Sequence, residues 1–335
     1  MEGELVDRAG IPFIGIPGGG LHGVGVTRVL RNGWDLLRAF FAAQKHLRQE
    51  QPAALLTTGG YISGPVAAAA RLHYTPILVF VPDIEPAQSV KAIARLAARV
   101  AVSVPASLRY FAERKAVVTG YPLGRRITGW TRQAGREALG LDPQVPLLLV
   151  FGGSRGARSI NRALLERVEA LTALAEVLHV TGTLDWPEVA AAREALPAGV
   201  RARYHIHPYL HDRMGAALAA ADLAVSRAGA GVLGEFPHFG LPAILVPYPY
   251  AWRYQRVNAD WLAHRGAAVV VEDGELSAEM VPAVAALLED EARRRQMAEA
   301  ARAVARPDAA QRIAKLLLTL GQGDMPAPGP AAEGG

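Results

Sequence analysis

Short apolar runs alternate with amphipathic stretches along nearly the whole chain, and that alternation restricts the fold more than any single motif. Residues 53–57, 76–81, 100–104, 116–119, 146–151, 177–181, 204–207, 223–226, 243–247 and 267–271 are rich in Val, Ile and Leu. Most are apolar on both faces, as parallel strands covered by helices on both sides must be. Helix-like stretches lie between them at 34–48, 90–99, 160–171 and 186–196. Repeated β–α alternation predicts doubly wound α/β sheets. A chain of 335 residues holds two such domains more readily than one. The polar stretch 126–144 precedes a fresh strand, Gly-rich turn and helix. The expected division is therefore a first domain at 1–136 and a second at 137–306. A helix at 307–320 is expected to pack back on the first domain. The tail at 321–335 is mostly Pro, Gly and Ala, too poor in apolar surface to offset its ordering entropy, and is expected to be disordered.

Composition excludes several chemistries. The chain has no cysteine, so disulfides, thiolate metal sites and a cysteine nucleophile are ruled out. The start, MEGELVDRAG, lacks a basic segment followed by an apolar run, so no signal peptide is expected. No run of about 18 apolar residues is free of charge, so no transmembrane helix is expected. A formal net charge of +5 favours anionic partners without choosing among nucleotide diphosphates, anionic lipid and nucleic acid.

The strongest local motif is PLLLVFGGSRGARSIN at 146–161. A buried strand ends in Gly152-Gly153-Ser154-Arg155-Gly156, and a helix follows. Glycines let backbone approach a ligand, and the free N–H groups of the helix start favour an anion such as a diphosphate. Ser154 can add a hydroxyl, and Arg155 or Arg158 a charge. The same residues also describe a tight strand–helix turn with no ligand. The spacing is not G-x-G-x-x-G, so no dinucleotide cofactor is indicated. A second Gly-rich turn, SRAGAGVLGE at 226–235, follows another strand. Glu235, one turn into its helix, can accept hydrogen bonds from two ribose hydroxyls, although a helix-dipole glutamate is the plainer reading of that residue alone. In PYPYAWRYQRVNAD, at 247–260, Gln255 and Asn258 share a helical face and can read hydroxyls or phosphate, or simply open a solvated helix.

The first domain is quieter. TGGYISGP at 58–65 is a further strand–turn–helix element whose Gly60, Tyr61 and Ser63 can meet a ligand across an interdomain cleft. GGGLHG at 18–23 looks like a phosphate loop, but its preceding strand is short and His22 reads as a loop residue. Val26, Leu30, Trp34, Leu37 and Phe41 follow helical steps, with Phe40 beside them and Arg28, Arg31, Arg38 and Lys45 interleaved. A core-facing amphipathic helix is the plainer reading, and attachment to an anionic membrane surface is the functional one. No H-E-x-x-H, G-x-S-x-G or Walker loop is present. His205 and His207 share a strand face with no evident carboxylate partner, so no metal site is expected.

The ordered set TGGYISGP, TGYP, GGSRGARSIN, SRAGAGVLGE, GLPAILVPYPYAWRYQRVNAD and RGAAVVVED resembles the MurG family over nearly the whole chain up to about Leu320. The resemblance implies a GT-B-like fold: two Rossmann-like doubly wound domains facing a cleft, the first N-terminally truncated. It implies an inverting hexosyltransferase that moves N-acetylglucosamine from its UDP donor to undecaprenyl-pyrophosphoryl-MurNAc-pentapeptide, converting lipid I to lipid II in peptidoglycan synthesis. A non-catalytic UDP-sugar-binding or scaffold homologue, or a transferase with another lipid acceptor, is the alternative. Implied partners are UDP-GlcNAc, the undecaprenyl-linked acceptor and an anionic membrane surface, with no nucleic acid. No cofactor or metal is implied, since UDP-GlcNAc is the donor substrate. The place is the cytoplasmic face of the bacterial cell membrane, held peripherally.

Position by position, Ser154 and Gly153 match the family's donor-phosphate turn, and Ala230, Gly231, Val232 and Leu233 the turn around diphosphate and ribose. Glu235 matches the ribose carboxylate, Leu210 the apolar position whose backbone meets uracil, and Gln255 an amide facing the sugar. Gly60, Tyr61 and Ser63 fall on the acceptor side. Val26, Leu30, Trp34, Leu37 and Phe40 match the membrane patch, which reverses the plainer reading of that helix. Three departures follow. The family's G-G-T-G-G-H loop, with a histidine proposed as base, falls upstream of the segment resembling residues 1–25. The family's H-E-Q-N becomes Phe80-Val81-Pro82-Asp83, which makes Asp83 a candidate base. Its G-N-P-V-R becomes Gly120-Tyr121-Pro122-Leu123-Gly124, which displaces the arginine to Arg125.

Overall fold

The computed structural model describes residue 6 and residues 10–16, 26–60, 62–153, 156–250 and 254–323, with side chains in the first helix from residue 34 onward. Ser154, Tyr61, the 18–23 loop with His22, the side chains of Val26 and Leu30, and the tail beyond 323 lie outside the described residues. All the expected strands form, each within a residue or two of its expected bounds. The chain divides into two compact units.

In the first unit, β1 (Leu55–Thr57), β2 (Ile77–Val81), β3 (Arg99–Val102) and β4 (Ala116–Val118) form a parallel sheet in chain order. Helices Val26–Glu50, Ser63–Leu72 and Gln88–Leu96 accompany it. Ala67, Ala69 and Ala70 are the buried residues of the second helix, and such small side chains let a helix lie close. They join Ala43, Leu47, Ile77, Val79 and Val100 in one core. The C-terminal helix, Ala309–Gly321, belongs to this unit from Gln311 onward, and Gly321 lies against Ala53.

The first helix is two-faced. Ala39, Ala43 and Leu47, at steps of four, are buried, while Trp34 (63% exposed), Leu37 and Phe41 (67%) turn outward. Phe40, placed in the outward patch from sequence, instead packs on the core, and Phe41 takes its place outside. The reason is helical rotation: Phe41 lies seven residues from Trp34, back on the same face, and Phe40 does not. Among the described residues no helix is long and apolar enough to cross a membrane.

The second unit carries β5 (Leu147–Phe151), β6 (Glu176–Val180), β7 (Tyr204–His207), β8 (Leu223–Ser226), β9 (Ala243–Leu245) and β10 (Ala268–Val270). They are all parallel, in the order β10-β9-β8-β5-β6-β7. The chain thus winds outward from β5 through β7, returns to β5's other side at β8, and winds outward again. The expected helix 160–171 is two helices, Arg158–Glu166 and Val168–Leu174, because the backbone leaves helical geometry at Arg167 (φ −125°) and turns Val168 and Leu171 inward.

The unit boundary also differs from the expected 136/137. The change falls at Val118/Thr119, and Pro82–Glu85 groups with the second unit too. The 126–144 stretch reads as a polar linker, but its arginines are structural. Arg136 is 2% exposed, donates to the carbonyls of Ala220, Asp142 and Val145, and pairs with Asp222 at 2.7 Å. Arg132 also pairs with Asp222, at 2.5 Å. These bonds fix helix Arg132–Leu139 on helix Met214–Ala220.

Candidate functional site

The return from β7 to β8 makes a topological switch point between β5 and β8, whose carboxyl ends diverge to leave a crevice. Phe151 on β5 stands opposite Ser226 on β8, so the two Gly-rich turns emerge side by side. Between them lies a cavity of about 530 Å³, within the usual range for small-ligand sites. Gly153, Leu210, Gly231, Val232, Glu235 and Gln255, all donor-site candidates from sequence, line it.

The β5 turn is built for close approach. Gly153 and Gly156 have φ of +89° and +77°, a region that costs other residues strain. Helix Arg158–Glu166 starts after it with no side-chain cap, so its first N–H groups remain available to an anion. Arg158 faces elsewhere and pairs with Asp185 at 3.0 Å. The buried cation that lines the cavity is Arg227. It donates to Ser159 Oγ (2.6 Å) and the Val246 carbonyl (3.1 Å), pairs with Asp273 (2.6 Å) and stands 5.2 Å from the Tyr248 ring centroid.

After β8, Ala230–Leu233 forms a single 3₁₀ turn. Val232 faces the cavity edge, whereas Ala230 and Leu233 do not line it, and Leu233 is buried in the core. A side chain at Gly231 would meet the Glu235 carboxyl group at 3.3 Å, so that position stays bare beneath the carboxylate. Burial pushes the Glu235 carboxyl above its ordinary value of 4.5. Gln255 Oε1 accepts from the Tyr248 N–H at 2.9 Å, which leaves its amide protons for a ligand. Phe151, Val180, Leu210 and Met214 give one end an apolar wall, with Tyr209 and His211 edge to face at 4.7 Å beside it.

Asn258 is not a ligand-reading amide. It is fully buried, donates to Asp83 Oδ1 (2.8 Å) and the Ala228 carbonyl (3.1 Å), and accepts from the Ile84 N–H (3.1 Å). It therefore fastens residues 82–85 to the β8 turn. Asp83 does not line the cavity, but burial raises its pKa despite the Asn258 hydrogen bond. Arg125 is exposed at the start of a short helix, Arg125–Thr128, and does not line the cavity either. In its place Tyr121 enters the wall, its ring packed so that a side chain at Gly234 would meet it at 2.8 Å. Burial raises the Tyr121 pKa, and the charges of Glu235 and Asp83 add to the shift. Sequence reasoning missed Tyr121 and Arg227. The first stands in the stretch that departs from G-N-P-V-R, and the second inside the SRAGAG turn.

In the first unit, Gly60 has φ +107° and Ser63 Oγ donates to the Gly59 carbonyl at 2.7 Å. Ser63 thus serves the turn that opens its own helix. His205 does have a carboxylate neighbour, contrary to expectation: Glu176, one strand over, lies 3.7 Å away. Among the described residues no group of three or more His, Asp or Glu is placed to hold a metal ion.

Two parallel-sheet α/β units, one of them doubly wound with two Gly-rich turns, a half-buried carboxylate and an apolar wall at its switch point, define a GT-B-like glycosyltransferase fold. Residues 1–102 match the glycosyltransferase family 28 N-terminal domain, and residues 147–313 the glycosyltransferase family 28 C-terminal domain. The UDP-N-acetylglucosamine–N-acetylmuramyl-(pentapeptide) pyrophosphoryl-undecaprenol N-acetylglucosamine transferase of Roseiflexus sp. (strain RS-1) is 42% identical, over 96% of this chain and 81% of its own. The enzyme of that name from Desulforudis audaxviator (strain MP104C) is 37% identical, over 95% and 87%. The crystal structure of Acinetobacter baumannii MurG superposes with a TM-score of 0.71 at 27% identity, covering 95% of this chain and 88% of that one. A UDP-GlcNAc 2-epimerase from Neisseria meningitidis, at 13% identity and a TM-score of 0.66, shares the fold alone. The chain belongs to the MurG family of glycosyltransferases.

Proposed function

We infer that this chain transfers N-acetylglucosamine from UDP-GlcNAc to undecaprenyl-pyrophosphoryl-MurNAc-pentapeptide, converting lipid I to lipid II in peptidoglycan synthesis. The observation that carries the reading is the switch-point cavity, where Gly153, Glu235 and Gln255 converge in a chain of this family. The uracil lies against the Leu210 wall, the ribose hydroxyls donate to Glu235, and the diphosphate meets the N–H groups after Gly153. The acceptor's muramyl hydroxyl attacks the anomeric carbon as the bond to the diphosphate oxygen breaks, which inverts that carbon. The helix start and the Gly turns stabilise the charge that develops on departing UDP, so no metal or cofactor is required.

The hydroxyl proton needs an acceptor. Asp83 is the base in this reading, supported by a carboxyl that burial holds above its ordinary value. Asp83→Asn is expected to keep UDP affinity and lose turnover. Trp34, Leu37 and Phe41 form an exposed apolar face, with Arg38, Lys45 and Arg48 exposed on the same helix. That combination supports peripheral attachment to the anionic cytoplasmic face of the cell membrane, where the lipid acceptor resides. Calorimetric titration of UDP tests the site. Wild type is expected to bind, and Glu235→Ala and Gln255→Ala to bind at least several-fold more weakly. Equal affinity in all three proteins contradicts the assignment.

A further inference from the structure

Behind the β5 turn runs a chain of hydrogen bonds that the donor contacts do not use. His179 on β6 is fully buried, with Nδ1 2.8 Å from the Tyr204 hydroxyl on β7 and Nε2 2.9 Å from Asn161 Oδ1. Asn161 Nδ2 donates to the Thr181 carbonyl (2.9 Å) and to Asp185 Oδ2 (2.8 Å). Both amide protons are therefore committed, and Asn161 Oδ1 must accept. His179 then carries its proton on Nε2, and its Nδ1 accepts from the Tyr204 O–H. Asp185 Oδ1 accepts in turn from Arg158 Nε at 3.0 Å. The bonds run one way from Tyr204 to Asp185, whose carboxylate ends the series by accepting from both Asn161 and Arg158. Burial pushes His179 down to about 3, so the ring is neutral and the order of the bonds is kept at neutral pH.

The chain ends where the turn is tightest. Asn161 sits in the first turn of helix Arg158–Glu166. The Thr181 carbonyl that it holds lies so close to Gly156 that a Cβ there would overlap it. The Gly156 N–H in turn donates to the Gly153 carbonyl at 3.0 Å. Neighbouring buried positions on β6, Val177, Leu178 and Val180, are filled with aliphatic side chains, which need no partners. A fully matched polar series in such a place fixes geometry that apolar packing would leave free.

We propose that Tyr204, His179 and Asn161 are positioning residues for the donor diphosphate, holding Gly153, Gly156 and the following helix N-terminus in binding geometry. The proposal rests on reading that turn as the diphosphate subsite. It assigns a role to Tyr204, a residue on a neighbouring strand that does not line the cavity.

The test compares UDP with uridine, which lacks the diphosphate, by equilibrium dialysis of the full chain at neutral pH. Tyr204→Phe keeps the ring and removes only the hydroxyl. UDP affinity is expected to fall roughly 3- to 10-fold, with uridine affinity changed less than about twofold. Asn161→Ala is expected to show the same ligand-selective loss, and larger. Thermal melts of each variant accompany the binding data. A lowered melting temperature with unchanged UDP affinity overturns the proposal, as does an equal loss for both ligands. Wild-type protein that binds uridine but gains nothing from the diphosphate overturns the subsite reading and the proposal together.

Discussion

Glu235, proposed above to bind the donor ribose, carries a cost to its own fold. Its carboxyl is half-buried and desolvation pushes it above 4.5, so the empty protein holds that proton more tightly than the unfolded chain does. The stability this contributes is present below about 4.5 and is lost as pH rises through the folded value. As pH rises the ionised form becomes a burden to the fold, which ribose hydroxyls donating to it would relieve in the proposed donor complex. Glu235→Gln is therefore expected to raise the melting temperature of the empty protein at pH 7 while lowering UDP affinity about 10-fold or more, since hydrogen bonds to a charged acceptor are the stronger kind. Wild-type affinity should fall on acidification, beginning above 4.5, and the variant's profile should be flatter. Glu235, Gly153 and Gln255 were legible because each sits near a Gly-rich turn or a strand end, whereas Leu210 came from the family resemblance alone. Tyr121 was not, because only folding brings its loop to Gly234.

At the level of elements, the strands were readable because parallel strands covered on both faces are mostly apolar, and β2 and β5 are apolar and buried at every position. The unit boundary was misread for the opposite reason. Arg132 and Arg136 look solvated in sequence, yet both converge on Asp222, which also accepts the Leu147 N–H at 2.8 Å. One carboxylate thus joins helix Arg132–Leu139 to the first strand of the second sheet. Asp222→Ala leaves the buried Arg136 cation without its carboxylate, and a loss of about 3–5 kcal/mol is expected in denaturant unfolding. A loss below about 1 kcal/mol would mean that the carbonyl bonds of Arg136 suffice alone. The helix Val26–Glu50 was legible as amphipathic, but the choice between Phe40 and Phe41 depends on rotation about its axis, which the sequence pattern leaves open by one residue.

On the scale of the whole molecule, each unit has its own sheet and its own core, and the described residues that line the proposed donor cavity all belong to the second. The exposed Trp34, Leu37 and Phe41 belong to the first. Membrane attachment and donor binding should therefore separate cleanly. Trp34→Glu with Phe41→Glu is expected to abolish cosedimentation with vesicles containing anionic lipid while UDP affinity stays at the wild-type value. Retained cosedimentation would move the attachment surface elsewhere. The two units together are expected to transfer N-acetylglucosamine to a lipid-linked muramyl acceptor. The most direct measurement incubates the purified full chain with labelled UDP-GlcNAc and lipid I in detergent and follows label into the lipid product. Label is expected to appear in lipid II, with one UDP released per transfer and the anomeric carbon inverted. Tight UDP binding with no label reaching lipid I would contradict that expectation.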